Sequence, residues 1–170
     1  MAKAKDLKDY YVNLLADTLS ANEQMLERVE QLEKIATNAK LRDMLGKTQQ
    51  RMPQHNDKLR EILYRHEGKV AKEHCKGMEG IAAEAKEHAI KLKTDDDNVR
   101  DAAIIHAMQQ MSHYGIAGYG TAAAFADAIG EAEDARMLRR DLKEIFGADD
   151  YLTPIAESGV NEAAAEAVGA

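Results

Sequence analysis

Apolar residues recur along most of the chain at alternating steps of three and four, the spacing that places side chains on one face of an α-helix. Four long stripes follow this rule and predict four long helices. The first is Tyr11, Leu15, Thr18, Asn22, Met25, Val29 and Leu32; the second is Leu41, Leu45, Thr48, Met52, His55, Leu59, Ile62 and His66. The third is Ile104, Met108, Met111, Gly115, Gly118, Ala122, Phe125 and Ile129; the fourth is Leu138, Leu142, Ile145, Asp149 and Leu152.

Proline, glycine and helix-capping residues predict where these helices bend, begin and end. Pro53 lies inside the second stripe, where a missing N–H and a ring clash predict a kink near residues 49–53. Gly68 is expected to stop that helix. Asn98 or Asp97 is expected to cap the third helix.

The remaining boundaries follow from the same reasoning. The third helix is expected from Val99 to about Ile129, and Gly130 ends it. The fourth is expected to begin near Glu131, because the early acids Glu131, Glu133 and Asp134 suit the helix dipole. Pro154 is expected to bend it.

A shorter stripe from Cys75 to Leu92 predicts a fifth, short helix inside the long connection between the second and third helices. Two antiparallel helix pairs joined by such a crossover form a ferritin-like four-helix bundle, which is the all-α fold that we expect. We assign residues 1–157 to this bundle and 158–170 to an Ala-rich C-terminal tail.

Composition narrows the class of protein. The 170 residues include 23 Lys plus Arg and 30 Asp plus Glu, a formal net charge of −7, so nucleic acid and anionic membranes are not expected as partners. Cys75 is the only cysteine, which excludes an intramolecular disulfide. The N-terminal residues lack the apolar core of a signal peptide, and we expect a cytoplasmic protein.

Polar residues on the stripes are the candidate functional residues. His55 is either a metal ligand or proton carrier, or a buried histidine bonded to a neighbouring helix. His113 is either a ligand or a packing residue. Asp149 needs a partner, which is a Lys, Arg or His side chain or a metal. Because Arg139 and Arg140 lie on the same helix, an ion pair with one of them is the favoured explanation.

Glu-x-x-His, the pattern of di-iron bundles, is missing from the long core-facing helices. The nearest approach is Glu84 with His88 on the short helix, which is interpreted as a solvated charged face.

Small residues crowd the third helix between Gly115 and Ala124. Glycine inside a helix costs about 1 kcal/mol relative to alanine, so a compensating close approach is expected, either within the bundle or between two chains. We expect a homodimer through the small-residue face, defined as Gly115, Gly118 and Ala122.

Several segments together resemble the YciF-type ferritin-like family of bacterial stress proteins. Residues 14–24 resemble the family's first helix, and Cys75 to Gly80 is similar to its Cys-x-x-Met-x-Gly crossover. Asp101 to Ile104 and His113 to Thr121 are similar to its third-helix segments. The resemblance covers about residues 8–156 and implies the fold and a stress-associated context.

The departures from this family concern its acidic residues. The resemblance implies Glu where this chain has Asn22, Ser112 and Gly115, and an acid- and His-rich segment where it has residues 46–51. Two metal ions need several carboxylates, so neither a bound metal nor ferroxidase or catalase activity is expected. Instead, we expect Asn22 to form a hydrogen bond with Thr48 or His55 of the second helix.

Three functions remain open from the sequence. The first is a non-enzymatic, stress-associated protein that acts by binding or structural protection, with no catalytic residues and no cofactor. The second is an iron or manganese protein with a rebuilt or mononuclear site, whose candidate ligands are His55, His113, Glu144 and Asp149. The third is a helical protein-interaction module.

Overall fold

The computed structural model describes residues 4–67 and 73–166, and these residues form helices and turns without any strand. The elements are α1 (Leu7–Ile35), α2 (Ala39–Glu67), α3 (Lys76–Ala85), α4 (Asp97–Ala128), α5 (Ala132–Ile155) and α6 (Asn161–Glu166). Single π-helical turns follow α3 (Lys86–Ile90) and α5 (Ala156–Val160).

Cross-helix contacts define how the four long helices run. On α1 and α4, Thr37 lies beside Asp101 while Asn22 bonds Tyr119, so the two helices are antiparallel. Helices α2 and α5 are antiparallel by the same test, because His55 meets Glu144 and Arg65 meets Asp134. Short turns connect α1 to α2 and α4 to α5, and the crossover carries α3, so the expected pair-crossover-pair bundle is confirmed.

The ends of the helices agree with the sequence to within a few residues. The N-cap of α4 was expected at Asn98 or Asp97, and this prediction is wrong by one position. The carboxylate of Asp96 accepts hydrogen bonds from the backbone N–H groups of Asn98 and Val99, because the helix begins one residue earlier. Gly130 turns the chain between α4 and α5 with φ of 84°, which glycine adopts without a Cβ clash. The expected stop at Gly68 lies outside the described residues.

Both prolines lie inside helices that continue beyond them. Pro53 lies inside α2, which continues to Glu67, and the bend there stays a prediction. Pro154 precedes the end of α5 at Ile155, and a π-helical turn follows. Helical structure continues to Glu166 and Val160 is buried in the core, while the division of the chain at residue 158 stays a prediction.

The predicted stripes form the core. All seven stripe residues of α1 are buried, from Tyr11 to Leu32. One apolar cluster surrounds Val29 and Met108, and a second surrounds Tyr11 and Tyr119 near the other end of the bundle. Between the two clusters lies a level with several polar side chains.

A buried carboxylate joins the two helix pairs at the end near residue 37. Asp101 is 1% exposed and accepts hydrogen bonds from the backbone N–H groups of Thr37 and Asn38 at 2.9 and 2.7 Å. The Thr37 hydroxyl donates a third bond at 2.7 Å. Asp101, on α4, therefore accepts the hydrogen bonds of donors in the turn between α1 and α2.

Within residues 4–67 and 73–166, none of the helices combines the length and apolar character needed to cross a membrane.

Candidate ligand-binding cavity

A cavity of about 430 Å³ lies between the four long helices and opens between α2 and α5. Each of these helices contributes wall residues, among them Asn22 and His55 from the first pair and Ser112 and Glu144 from the second. Of the four candidate ligands named from the sequence, His55 and Glu144 line this cavity, whereas His113 and Asp149 lie elsewhere.

The cavity has a polar end and an apolar end. The polar end, at the middle of the bundle, is defined by Asn22, His55, Ser112, Gly115 and Glu144. The apolar end, defined by Met44, Met108 and Leu152, lies further toward the turn between α1 and α2, and Met25 lies between the two ends. Since α2 and α5 are antiparallel and His55 contacts Glu144, Met44 and Leu152 both lie on the side of that contact that faces the turn between α1 and α2.

Asn22, at the polar end of the cavity, forms hydrogen bonds to side chains of two other helices. Its Nδ2 group donates to Asn56 Oδ1 and to the Tyr119 hydroxyl, both at 2.9 Å. Asn22 was expected to bond Thr48 or His55 instead, and this prediction is wrong. Thr48 donates to the carbonyl of Met44 in its own helix, and His55 points to α5.

His55 and Glu144 form a pair across α2 and α5. His55 is buried, and its Nε2 donates to Glu144 Oε2 at 3.1 Å. That hydrogen bond is the main reason why the pKa of Glu144 falls below its ordinary value of 4.5, against a smaller opposing effect of burial. The alternative of a buried histidine bonded to a neighbouring helix describes the observed contact.

Ser112 is a buried polar group without a partner. The residue is 4% exposed, lines the cavity, and makes no hydrogen bond within the described part of the chain. Its Oγ faces the open space of the cavity, so a ligand or a water molecule there can form a hydrogen bond with it.

Two cations flank the opening on α2. Lys47 and Arg51 are one helical turn apart and both line the cavity. Lys47 bonds Asp43 at 2.6 Å, whereas Arg51 reaches Glu144 only at 3.7 Å and makes no hydrogen bond among the described residues. The guanidinium of Arg51 therefore keeps its donors available.

His113 and Asp149 form a separate pair outside the cavity wall. His113 Nε2 lies 3.0 Å from Asp149 Oδ2, so the expected ion pair with Arg139 or Arg140 is wrong. Arg139 bonds Asp127, and Arg140 approaches Glu144 at 3.8 Å. The second carboxylate oxygen, Asp149 Oδ1, is buried and has no hydrogen-bond partner in the part of the chain that the structure describes.

The donor set at the bundle centre does not fit a pair of metal ions. Among the residues that the structure describes, Glu144 supplies the one carboxylate on the cavity wall, and His55 already bonds it. Two divalent ions need several carboxylates, whereas Asn22, Ser112 and Gly115 supply an amide, a hydroxyl and a hydrogen. The four candidate ligands named from sequence form two separate His–acid pairs.

Sequence reasoning missed a cluster at the far end of the bundle. Asp134 is buried and contacts three side chains: Tyr11 donates at 3.0 Å, Arg65 donates at 2.7 Å, and His66 Nε2 lies 2.6 Å away. With Glu131, His66 and Asp134 form the one group of three metal-ligand residues that the described residues bring within 4.8 Å. Arg65 already neutralises Asp134, so the cluster is an ion-pair network.

The signal for these acids was present in the spacing. Asp134 and Asp141 keep the three-four phase of Leu138 and Ile145, which places them toward the core. Asp141 is 1% exposed and pairs with Lys58 of α2. Asp134 was instead interpreted as an acid at the helix start.

Cys75 docks the short helix α3 against α1 and α4. Its backbone N–H donates to the Ser20 hydroxyl at 3.0 Å, and its Sγ lies 3.1 Å from Asp17 and 3.0 Å from the Tyr114 hydroxyl. Burial is the main cause that raises the pKa of the Cys75 thiol. Gly77 is required here, since an added Cβ would lie 2.5 Å from the Tyr114 hydroxyl.

The small residues of α4 have a partner inside the chain. A Cβ at Gly118 would lie 3.2 Å from the Thr18 hydroxyl of α1, and Ala122 is fully buried. At these two positions the close approach occurs within the bundle, while Gly115 has open space beside it at the cavity. Glu84 and His88 are exposed and lie 2.9 Å apart, as expected for a solvated face.

Comparisons with known proteins place these features in a family. Residues 6–165 match the family described as a domain of unknown function, DUF892. The chain is 32% identical to protein YciF of Escherichia coli K12 over 161 residues, which covers 94% of this chain and 96% of that protein.

Two solved structures share the fold over most of their length. The crystal structure of the E. coli stress protein YciF superposes with a TM-score of 0.86 at 31% identity, covering 93% of this chain and 99% of that one. The structure of YcfI from Rhodopseudomonas palustris gives 0.82 at 28% identity, covering 88% and 94%. Sequence match and fold agree, and this chain belongs to the DUF892 family, of which the resemblance to YciF-type proteins was the first indication.

Proposed function

We propose that this protein is a non-enzymatic, ferritin-like, stress-associated protein that acts by binding a small, mainly apolar molecule at the centre of its bundle. The observation that carries the proposal is the cavity itself, with the Ser112 hydroxyl facing its open space. The stress association rests on the similarity to YciF, which is described as a stress protein.

The size and chemistry of the cavity support binding over structural packing alone. Ligand pockets in proteins are concave, mostly apolar, on the order of 300–1,000 Å³, and carry a few placed polar groups. The cavity of about 430 Å³ has methionine-rich walls and a small set of polar groups at one end. Methionine side chains adapt to ligands of varied shape.

A fluorescent apolar probe tests this proposal. The neutral dye N-phenyl-1-naphthylamine gains fluorescence in apolar surroundings, and titration into the protein should give a saturable increase. Ala148→Phe places a ring on the cavity wall and should abolish the increase. Ala132→Phe, at an exposed position of the same helix, is the matched control and should bind the dye like the parent.

Two results would count against this function. One is the absence of saturable binding by the folded parent protein. The other is equal binding by the parent and by a folded Ala148→Phe variant, because the dye would then occupy another surface.

We further propose that the protein works in the cytoplasm as a homodimer. The support for the dimer is the concentration of small residues on α4, of which Ala117, Thr121 and Ala124 are exposed. Gly118 and Ala122 pack within the chain, so the exposed neighbours are the residues available to a second copy.

A further inference from the structure

We infer that the molecule bound in the cavity is an amphiphile with a single carboxylate, held by Arg51 at the opening, with its apolar chain between the methionines. This inference rests on the proposed function and adds the chemical class of the ligand. Three observations on the cavity support it: its charge, the free donors at its opening, and the order of its polar and apolar ends.

The charges around the polar end leave one positive charge without a counter-ion. Glu144 has two arginines beside it, Arg51 at 3.7 Å and Arg140 at 3.8 Å. The neighbouring acid Asp141 is already paired with Lys58. The chain carries a net charge of −7, so a local positive excess at a cavity opening is informative about the ligand.

Arg51 has the geometry to hold a carboxylate. Its side chain is 60% exposed and makes no hydrogen bond among the described residues, so the planar guanidinium can present two parallel donors. At the same level, the Ser112 hydroxyl is available inside the cavity to donate to a ligand oxygen.

The order of the two ends fixes how the ligand lies. A carboxylate at Arg51 and Ser112 directs the rest of the molecule toward Met44, Met108 and Leu152, where the wall is apolar. An aliphatic chain buried there gains the free energy of removing its surface from water. A dicarboxylate or a sugar would place polar groups against methionine without partners.

Calorimetric titration with matched ten-carbon ligands tests the head group. Decanoate, 1-decanol and decyltrimethylammonium share the chain and differ in charge. We expect decanoate to bind more tightly than 1-decanol by about tenfold, the typical effect of a charge-assisted hydrogen bond. Decyltrimethylammonium should bind the most weakly of the three.

The variant Arg51→Met separates the head group from the cavity. This substitution should lower the affinity for decanoate by about tenfold and leave the affinity for 1-decanol unchanged, since the contacts of the aliphatic chain persist. Arg60→Met is the matched control, because Arg60 lies on the same helix and pairs with Glu23 and Asp57, away from the cavity. It should leave both affinities at the parent values.

The outcomes distinguish the two levels of the account. If 1-decanol binds as tightly as decanoate and Arg51→Met changes neither, the carboxylate is excluded while the cavity function stands. If none of the three ligands binds to the folded protein and the neutral dye also fails, the proposed function is overturned together with this inference.

Discussion

At the scale of single residues, the bundle centre depends on amide and hydroxyl groups. Asn22 bonds Asn56 and Tyr119 on two different helices. Asn22→Leu should lower the free energy of unfolding by about 1–3 kcal/mol, because it leaves two buried polar groups without a partner. Urea denaturation measures the change, and Gln54→Leu at an exposed position of α2 is the control. A variant as stable as the parent would contradict the role given to Asn22.

The ionisation of Glu144 makes the stability of the folded protein depend on pH, and the lowered pKa gives the direction of that dependence. Its pKa is lower in the folded protein than its ordinary value of 4.5, so its ionised form stabilises the fold above that pH. This stability is lost as the pH falls through the lowered pKa. Because Glu144 is partly exposed, Glu144→Gln should cost less than about 1 kcal/mol at pH 7 and nothing in stronger acid.

The measurement is urea denaturation of Glu144→Gln at a series of pH values, beside the exposed control Glu61→Gln. A difference from the parent protein that grows as the pH falls below 4.5 would contradict the assigned contact with His55.

The sequence could predict which side of each helix faces the core, whereas it could not predict which residues of different helices contact each other. The spacing placed Asn22, His55 and Asp149 in the core because helical periodicity is local. Their partners depend on how far one helix is shifted along another, which no single stripe encodes. Asp149 therefore received Arg139 or Arg140 as its expected partner and has His113.

At the scale of elements, the docking of α3 depends on the contact between Gly77 and Tyr114. A Cβ at Gly77 would lie within 2.9 Å of three atoms of the Tyr114 side chain, which also contacts Cys75. Gly77→Ala should therefore destabilise the protein by about 1–3 kcal/mol, the usual cost of overpacking. Gly80→Ala in the same helix meets no atom within 4 Å and should be neutral or stabilising, since alanine favours helix.

Thermal unfolding of the two alanine variants measures this difference directly. Equal melting temperatures for Gly77→Ala and Gly80→Ala would show that Tyr114 moves aside freely. The sequence identified the Cys75–Gly80 segment only through its resemblance to a family, because its glycine requirement comes from a side chain on α4.

At the scale of the whole molecule, the dimer is a prediction that sedimentation tests. At micromolar concentration we expect twice the mass of one chain. Ala124→Glu, on the exposed side of α4, should shift the protein to monomers by placing a charge in the contact. A folded parent protein that sediments only as a monomer would exclude the dimer.

The central claim is that this bundle keeps an internal space between its four helices without the carboxylates that a metal pair requires. The polar end of the cavity contains Asn22, Ser112 and Gly115. Within residues 4–67 and 73–166, Glu144 is the one acidic residue of the cavity wall. Restoring carboxylates would bury charge without partners unless metal ions enter with them.

Metal analysis after saturation with Fe²⁺ or Mn²⁺ and desalting tests this claim most directly, with the melting temperature recorded before and after a chelator is added. We expect well under one ion per chain and an unchanged melting temperature, because an ion bound to the folded state would stabilise it by mass action. Two tightly held ions per chain, with a melting temperature that falls on chelation, would contradict the account.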